Sequence, residues 1–472
     1  MTIEEFRKYA HELVDWMADY LNNIEQYPVK AFVAPGEVLH RIPNMPPETG
    51  EPFENIFADF IKIILPGMTH WQHPGFMGYF PANSSPPSVL AEMLTATLAA
   101  QCMLWQTSPA ATELEERMMQ WLAHLCGLPT HWHGVIQDTA SSATLCALLT
   151  AREKYSAQRQ MAINQYGFEG QPIFRIYASA ESHSSVEKAV RIAGFGSNNL
   201  VKVPTDDNFS LKVELLEQQI KEDLQKGYQP LCVVATLGTT SSTGIDPIGP
   251  IGRLCQENHM WLHVDAAYAG TALMLPEYRY LAQELSYADS YVFNPHKWML
   301  TNFDCSAYYV KDKEALLRTF EIMPEYLKTP LDRVVNNYRD WGIPLGRRFR
   351  ALKLWFVLRT YGAENLRALL RHHINLAKQF ASWLKADDRF ELMAPVHFNL
   401  VCFRLKPKQG EDESFTEQRN EQLLNAINQT GHFFLTHTRL NGKYTLRAVF
   451  GQTYVKEKHV RALWHLISQL AL

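Results

Sequence analysis

The sequence is poor in cysteine and in net charge, and it has no long apolar run. Its seven cysteines among 472 residues are scattered and odd in number, which favours reduced core cysteines over a disulfide framework. The 45 basic and 49 acidic side chains give a formal charge of −4, so no basic surface indicates nucleic acid or anionic membrane as a partner. Apolar runs fall short of the ~20 residues of a transmembrane helix, and the first residues lack a signal-peptide pattern. We therefore expect a soluble, cytoplasmic protein.

Motifs for nucleotides and metals are also missing. The sequence has no G-x-x-x-x-G-K-[ST] and no G-x-G-x-x-G, so nucleotide binding is not predicted. Its paired histidines do not combine with cysteines or carboxylates at metal-ligand spacing, and we predict no metal site. What remains is the composition of a folded protein, 46% hydrophobic and 20% charged, long enough for two or three domains.

Residues 1–84 are predicted to form a helical arm followed by a wrapping segment. Apolar residues recur there at steps of three and four, which indicates a helix with a wide apolar face: Phe6, Tyr9, Leu13, Trp16, Met17, Tyr20 and Ile24. A proline-rich stretch follows, and because prolines block regular ladders it favours an extended arm. A helix with so many aromatic residues suggests that it packs on another domain or subunit.

Residues 85–360 alternate helical stretches with short apolar runs, the pattern of βαβ units in an α/β domain. The runs are continuously apolar, which is typical of a mostly parallel sheet covered on both faces. We place strands at 174–179, 231–238, 261–265, 290–293 and 306–311. Residues 361–472 predict a smaller α+β domain with strands at 398–405 and 444–450.

Lys297 is the most informative single residue. It lies in Asn-Pro-His-Lys-Trp, directly after the strand at 290–293, where open α/β sheets place ligands. Its apolar flanks would disfavour an ammonium group and lower the pKa of the amine, as Schiff-base chemistry requires. The alternative is an ordinary loop lysine whose charged end reaches solvent.

Asp265 ends the strand at 261–265 and is followed by small residues. A carboxylate at a buried strand end is costly unless it meets a cation, and a protonated pyridine nitrogen would serve. Ala267 leaves space for a flat ring. Taken alone, such an aspartate is more often a helix cap or an ion-pair partner, but the pairing of Asp265 with Lys297 at the neighbouring strand end favours one cofactor bound by both.

Residues 138–144, Asp-Thr-Ala-Ser-Ser-Ala-Thr, open a predicted helix. Free N–H groups, hydroxyls and small side chains at a helix start are suited to a phosphate, although a simple capped helix explains them as well.

His183 lies in Glu-Ser-His-Ser-Ser-Val-Glu, residues 181–187. The spacing of Ser184 and Glu187 predicts a capping box. His183 would then lie just before the cap, where its imidazole could stack on an aromatic ring; the alternative is an ordinary turn residue.

Together these features closely resemble the pyridoxal-phosphate-dependent group II amino acid decarboxylases, and among them the aromatic-L-amino-acid decarboxylases. The likeness runs in order through most of the chain and is weakest in the last hundred residues. It is carried by HWQHPGFMGYFPANSS, SPAATELEERMMQWL, GVIQDTASSATL, HSSVEKA, ATLGTTSSTG, WLHVDAAYAG, FNPHKWMLTNFDCSA and DWGIPLGRRFRALKLWFVLRTYG.

The resemblance implies an aspartate-aminotransferase-type (fold type I) homodimer that binds pyridoxal 5'-phosphate and decarboxylates an aromatic L-amino acid. Lys297 would hold the cofactor as a Schiff base, Asp265 would keep its ring nitrogen protonated, and His183 and Ala267 would lie on its two faces. Thr240 would lie close to the ring, and the phosphate shell would comprise Thr139, Ala140, Ser141, Asn294 and His296. Tyr326 matches the family's loop tyrosine, which protonates the α-carbon after carbon dioxide leaves.

The resemblance also implies a substrate pocket for a flat side chain, such as that of tryptophan, tyrosine, phenylalanine or dopa. The matching positions are Trp71, Tyr79, Phe80, Pro81 and Gly346. Gln101 and Met103 depart from the animal enzymes and are expected from the partner subunit.

Three alternatives stay open. Relatives without the loop tyrosine make aldehydes, a reaction that Tyr326 disfavours. Histidine or an acidic amino acid could be the substrate, which residues 79–81 disfavour. A catalytically silent cofactor-binding homologue is the third.

Overall fold

The structure of the protein is a computed structural model that describes residues 1–322, 331 and 334–471. The N-terminal region begins with a long helix, α1, and continues with two short ones, α2 and α3; their bounds are Ile3–Asn22, Glu37–Arg41 and Phe53–Asp59. The hydroxyl of Thr2 caps α1 by accepting the N–H of Glu5. No side chain of α1 is buried in the single chain.

The expectation of an extended proline-rich arm is wrong for residues 37–41, which are helical. Residues 53–67, which follow this proline-rich stretch, are helical as well. From α3 the chain continues as a π-helical turn and a 3-10 turn to residue 67. Phe53 and Phe57 contact the rings of Tyr9 and Trp16 on α1, with centroids 4.5 and 5.9 Å apart. This aromatic packing gives the segment an apolar face to bury, and tertiary packing of such a face is what stabilises most short helices.

The central region contains a seven-stranded sheet, with strands β1 to β7 at His133–Gln137, Phe174–Ser179, Leu200–Val203, Gln229–Thr236, Trp261–Asp265, Ser290–Phe293 and Ser306–Val310. Helices α4 to α12 accompany it at Pro86–Leu98, Pro109–Cys126, Ala140–Gln158, Ile163–Tyr166, Ser184–Ile192, Val213–Gln225, Ile248–Glu257, Pro295–Trp298 and Lys313–Phe320. The spatial strand order is β1-β7-β6-β5-β4-β2-β3.

The prediction of a mostly parallel sheet is confirmed. Strands β3, β2, β4, β5 and β6 pair in parallel, whereas β7 is antiparallel to both β1 and β6. Every residue of β5, β6 and β7 is buried, as expected for strands covered on both faces. The prediction missed β1 and β3 because they are edge strands, short and only partly apolar.

The C-terminal region begins on α13, which spans Arg350–Ala386 and bends at Gly362, where φ is 69°. A four-stranded antiparallel sheet follows, of order β10-β11-β9-β8. Strands β8 to β11 lie at Phe390–Leu392, Leu400–Leu405, Thr436–Leu440 and Lys443–Val449, and helices α14 and α15 at Glu413–Gln429 and Glu457–Leu470. The predicted strands at 398–405 and 444–450 correspond to β9 and β11.

The carboxyl ends of the parallel strands lie at one edge of the central sheet, where ligands bind in open α/β folds. Strands β4, β5 and β6 end there at Thr236, Asp265 and Phe293. Within the described part of the chain, no helix combines the length and apolarity that crossing a membrane requires.

Candidate active site

A cavity of about 220 Å³ lies at the carboxyl ends of β4, β5 and β6, and it is called the Lys297 cavity below. It brings together eleven of the residues expected from the sequence: Phe80, Thr139, Ala140, Ser141, His183, Thr240, Asp265, Ala267, Asn294, His296 and Lys297. Five further lining residues were not expected: Ser185, Thr236, Gly238, Tyr268 and Phe303. All five lie within the sequence segments that carry the family resemblance, so their position in those segments could have indicated them.

Lys297 lies in the short helix α11, which begins with Pro295 immediately after β6. The backbone N–H of Asn294 donates to the carbonyl of Ala267 at 2.9 Å, so the loops after β5 and β6 are tied together. The Nζ atom is 5.6 Å from the centroid of the Phe80 ring. Removal from water lowers the pKa of Lys297, and the negative charge of Asp265 opposes this shift. The amine therefore loses its proton more readily than that of an exposed lysine.

Asp265 is buried at the last position of β5, between Thr236 of β4 and Val292 of β6. Its Oδ1 atom accepts the backbone N–H of Ala267 at 3.0 Å. This bond fixes the carboxylate against the turn that follows the strand. The cavity thus offers a held carboxylate and a half-buried amine beside neighbouring strand ends.

The predicted capping box of Ser184 and Glu187 is wrong, because His183 is itself the N-cap of α8. Its Nδ1 atom accepts the backbone N–H of Ser185 at 3.1 Å and lies 2.8 Å from the hydroxyl of Ser185. The cap of α8 therefore lies one residue earlier than predicted. Glu187 instead forms an ion pair with Lys202 at 3.1 Å.

A backbone N–H can only donate, so Nδ1 of His183 accepts and carries no proton. The neutral ring therefore carries its proton on Nε2. Partial removal from water lowers the pKa of His183; Asp265 opposes this shift and Lys297 adds to it. A neutral imidazole with a fixed tautomer lies at the edge of the cavity.

The start of α6 forms the polar end of the cavity. Thr139 caps the helix, and its hydroxyl accepts the N–H of Ser142 at 3.3 Å. The first hydrogen bond of helical spacing joins the N–H of Ala143 to the carbonyl of Thr139, so the N–H groups of Ala140 and Ser141 precede the helical ladder. Such groups attract anions.

His296 and Asn294 complete this polar end. The Nδ1 atom of His296 accepts the N–H of Cys305 at 2.9 Å, which leaves Nε2–H as its donor. Burial lowers the pKa of His296 to about 3, so the ring is neutral at physiological pH. Asn294 accepts a hydrogen bond from the hydroxyl of Ser306, which leaves its amide group as a donor.

An aromatic column runs from the cavity wall into the C-terminal region. Phe80 stacks on Tyr268 with centroids 3.8 Å apart, and Tyr268 stacks on Trp298 at 4.9 Å. Trp298 donates from Nε1 to Nδ1 of His373 on α13 at 2.9 Å. The wall beside Lys297 is thus supported by packed rings.

Arg447 of β11 ties the C-terminal region to two segments around the cavity. It is buried, and its guanidinium donates to the carbonyls of Thr240, Ser241 and Gly78 at 2.7, 3.1 and 3.2 Å. These bonds fix the loop at Thr240 and the segment at Gly78, two residues before Phe80.

The other expected substrate residues do not line the Lys297 cavity of the same chain. Trp71 and Tyr79 are exposed and stack on each other, with centroids 5.9 Å apart, and Pro81 is buried beside Gly451.

Gln101 accepts the N–H of Arg347 at 2.8 Å and lies against Gly346. Met103 accepts the N–H of Arg339 through its carbonyl. Tyr326 lies outside the described residues.

Comparison with known proteins agrees with this geometry. Residues 35–406 match the family described as the pyridoxal-dependent decarboxylase conserved domain. The chain is 42% identical to phenylacetaldehyde synthase of Arabidopsis thaliana, over 100% of this chain and 96% of that protein. It is similar to the solved structure of Catharanthus roseus tryptophan decarboxylase in complex with L-tryptophan, with 40% identity and a TM-score of 0.93. It is also similar to that of Oryza sativa TDC with PLP and tryptamine, with 35% identity and a TM-score of 0.96. Both similarities cover 100% of this chain and 98% of the other.

Proposed function

Because the chain belongs to the pyridoxal-dependent decarboxylase family, we propose that it removes the α-carboxyl group of an aromatic L-amino acid and releases the corresponding amine and carbon dioxide. The protein is a carboxy-lyase with pyridoxal 5'-phosphate as cofactor and an aspartate-aminotransferase-type fold. The observation that carries the proposal is the joining of Lys297, Asp265 and His183 in one cavity beside the Phe80 ring.

The chemistry of the cavity fits pyridoxal phosphate. The start of α6 and Nε2–H of His296 supply donors suited to a phosphate, and we assign Thr139, Ala140, Ser141 and Asn294 to the same shell. Lys297 supplies an amine of lowered pKa for the aldehyde. When bound, the cofactor supplies an electron-withdrawing ring that stabilises the negative charge left on the α-carbon.

Asp265 would keep the ring nitrogen of the cofactor protonated. It is buried and fixed by the N–H of Ala267, and a carboxylate in such surroundings stabilises a facing positive charge more strongly than it would in water. We assign Ala267 and His183 to the two faces of the ring and Thr240 to its edge. The small side chain of Ala267 leaves space for a flat group.

The aromatic wall supports the choice of substrate. Phe80 is held by Tyr268, and its ring gives a flat side chain a surface on which to stack. The relatives named above include a tryptophan decarboxylase with bound L-tryptophan. We assign Trp71, Tyr79, Pro81 and Gly346 to substrate binding as well, with Gln101 and Met103 reaching the cavity of a partner subunit.

A homodimer would account for the exposed apolar surface. The outer side chains of α1 and α4 include Phe6 at 53%, Leu90 at 50% and Leu98 at 64% exposure, which is more apolar surface than isolated surface residues explain. We also propose a cytoplasmic location, supported by the seven free, buried cysteines.

An aldehyde synthase is the second candidate function, favoured by the 42% identity to phenylacetaldehyde synthase. Tyr326, which we propose as the proton donor to the α-carbon, favours the amine product. The two functions differ in their products, since an aldehyde synthase consumes oxygen and releases ammonia and peroxide.

The test incubates the protein and cofactor with a mixture of amino acids and identifies the products by mass spectrometry. Aromatic amines support the proposal. Aromatic aldehydes favour the second candidate, and imidazole or acidic amines without aromatic ones contradict the aromatic assignment. A Tyr326→Phe variant that makes only amine at the normal rate would remove the tyrosine from the reaction.

A further inference from the structure

Ser306 is the first residue of β7 and lies behind the polar end of the Lys297 cavity. Because β7 runs antiparallel to β1 and β6, it begins where those two strands end. Ser306 is paired with Gln137, the last residue of β1, and the next residue of β7 is paired with Phe293, the last residue of β6. The segments that follow β1 and β6 line the cavity, whereas Ser306 is fully buried and does not line it.

The hydroxyl of Ser306 donates to Oδ1 of Asn294. Asn294 occupies the N-cap position of α11, where the oxygen of an asparagine usually accepts a backbone N–H of its own helix. Among the residues that the structure describes, no N–H of α11 is bound to this oxygen, which is turned to β7 instead. The bond to Ser306 thereby determines which end of the amide group points to β7, and it leaves the amino group free to donate elsewhere.

The amino group of Asn294 and the Nε2 atom of His296 are open to the cavity. Both side chains are largely buried. Neither of these two nitrogens has a hydrogen-bond partner in the described ranges, 1–322, 331 and 334–471, yet both keep accessible surface. Since both residues line the cavity, two neutral donors face its polar end beside the start of α6.

The residues before Ser306 orient the second donor. The N–H of Cys305 donates to Nδ1 of His296 at 2.9 Å, and the N–H of His296 donates to the carbonyl of Cys305 at 3.3 Å. Asp304, one residue earlier, accepts two hydrogen bonds from Arg350 of α13, at 2.8 and 3.2 Å. The beginning of β7 is therefore anchored by α13 and orients both donors.

We propose that Ser306 is a positioning residue for the phosphate group of the bound cofactor, acting through the amide group of Asn294. The inference rests on the proposed function and adds a residue that does not itself touch the cofactor. A phosphate offers only acceptors, so the amino group of Asn294 must face it. Without the hydroxyl of Ser306, the amide could turn its oxygen to the phosphate, and two acceptors would then repel each other.

This role predicts a defect that depends on the phosphate group. Pyridoxal has the aldehyde and the ring nitrogen of the cofactor but no phosphate, so its binding reports on Lys297 and Asp265 and not on Asn294. In Ser306→Ala we expect the affinity for pyridoxal 5'-phosphate to fall about tenfold, the effect of roughly one hydrogen bond. The affinity for pyridoxal should not change. A merely structural serine would weaken the binding of both compounds to the same extent.

The experiment titrates the cofactor-free wild type, Ser306→Ala, Asn294→Ala and the double variant with each compound and follows binding by tryptophan fluorescence. If Ser306 acts through Asn294, the double variant should bind pyridoxal 5'-phosphate as weakly as Asn294→Ala alone, because residues in one contact are not additive. Ser306→Cys keeps a weak donor of similar size and should lie between Ser306→Ala and the wild type.

Ser156→Ala is the matched control. Ser156 is also a buried serine, and its hydroxyl donates to the carbonyl of Met161 at 2.8 Å, outside the cavity. This variant should bind both compounds as the wild type does.

Equal affinity of the wild type and Ser306→Ala for pyridoxal 5'-phosphate overturns the inference. An equal loss of affinity for both compounds also overturns it, as does a further loss when Ser306→Ala is added to Asn294→Ala. If Ser306→Ala does not fold, Ser306→Cys takes its place, and wild-type affinity of that variant overturns the inference. A wild-type chain that takes up neither compound overturns the proposed function instead, so the two failures are distinct.

Discussion

His183 accepts the backbone N–H of Ser185 at its Nδ1 atom, over 3.1 Å. The same nitrogen lies 2.8 Å from the hydroxyl of Ser185, which must donate because Nδ1 is already an acceptor. The ring is thereby fixed as the neutral Nε2–H tautomer. The contact between His183 and Ser185 therefore both caps α8 and sets the tautomer of the imidazole at the edge of the cavity.

We predict that Ser185→Ala shifts the acidic limb of the pH profile of kcat/KM to higher pH. Loss of a donor to the neutral Nδ1 favours protonation, so the pKa of His183, which is lowered in the protein, moves back towards its ordinary value. Ser184→Ala is the matched control, because Ser184 is exposed and is not the cap. Identical profiles for the two variants would contradict the assignment of the hydroxyl bond.

Replacement of Asp265 by alanine should affect turnover much more than cofactor binding. The carboxylate stabilises the protonated ring on which the negative charge of the transition state depends, and each ~1.36 kcal/mol of such stabilisation is worth about tenfold in rate. We expect kcat to fall by more than about a hundredfold while the cofactor dissociation constant changes by less than about tenfold. Fluorescence titration and steady-state kinetics measure the two effects. An Asp265→Ala protein that keeps most of its turnover with cofactor bound would exclude the role.

Buried histidines should make the fold sensitive to acid. Burial lowers the pKa of His73 and His263 to about 4 and that of His373 to about 3, whereas unfolded histidines titrate near 6.5. Below that pH the unfolded chain binds protons that the folded chain does not, so stability is complete above about 6.5 and falls as the pH drops towards 4.

Denaturant unfolding at several pH values measures this slope. His373→Asn should flatten it by up to one proton, about 1.36 kcal/mol per pH unit, whatever its effect on total stability. His11→Asn, at an exposed position on α1, should leave the slope unchanged. An unchanged slope in His373→Asn would show that this histidine is protonated in the folded protein.

Arg447 should contribute strongly to stability although it has no carboxylate among the hydrogen-bond partners described above. Arg447→Met leaves the carbonyls of Gly78, Thr240 and Ser241 without their donor, and we expect the free energy of unfolding to fall by about 3 kcal/mol. Arg439→Met is the control: Arg439 forms an exposed ion pair with Glu417, and such pairs are worth at most about 1 kcal/mol. Equal losses in the two variants, measured by chemical unfolding, would argue against the bridging role.

Much of the site could be predicted because its chemistry lies in short contiguous motifs at strand ends. Asp265 ends one continuous apolar run and Lys297 follows another, so both runs are easily recognised as strands, and both residues line the cavity. Thr236 and Tyr268 lie within these motifs but were missed, because which motif residues line the cavity depends on the neighbours they meet across strands. The cap of α8 was misplaced by one residue because serine is a commoner cap than histidine.

The fold was predictable where burial dictates composition. Strands β2, β5 and β6 agree with the predicted bounds residue for residue, since each is a continuous apolar run. The helical turns at 53–67 were not predictable from local sequence, because they depend on packing against Tyr9 and Trp16. The assignment of Gln101 and Met103 to a partner's cavity stays a prediction.

The most direct test of the central claim is borohydride reduction of the cofactor-loaded protein, followed by proteolysis and mass spectrometry. We predict that the reduced cofactor is attached to the peptide containing Lys297 and that Lys297→Ala carries no label at that peptide and has no decarboxylase activity. A label on another lysine, such as the buried Lys353, or an active Lys297→Ala protein would contradict it.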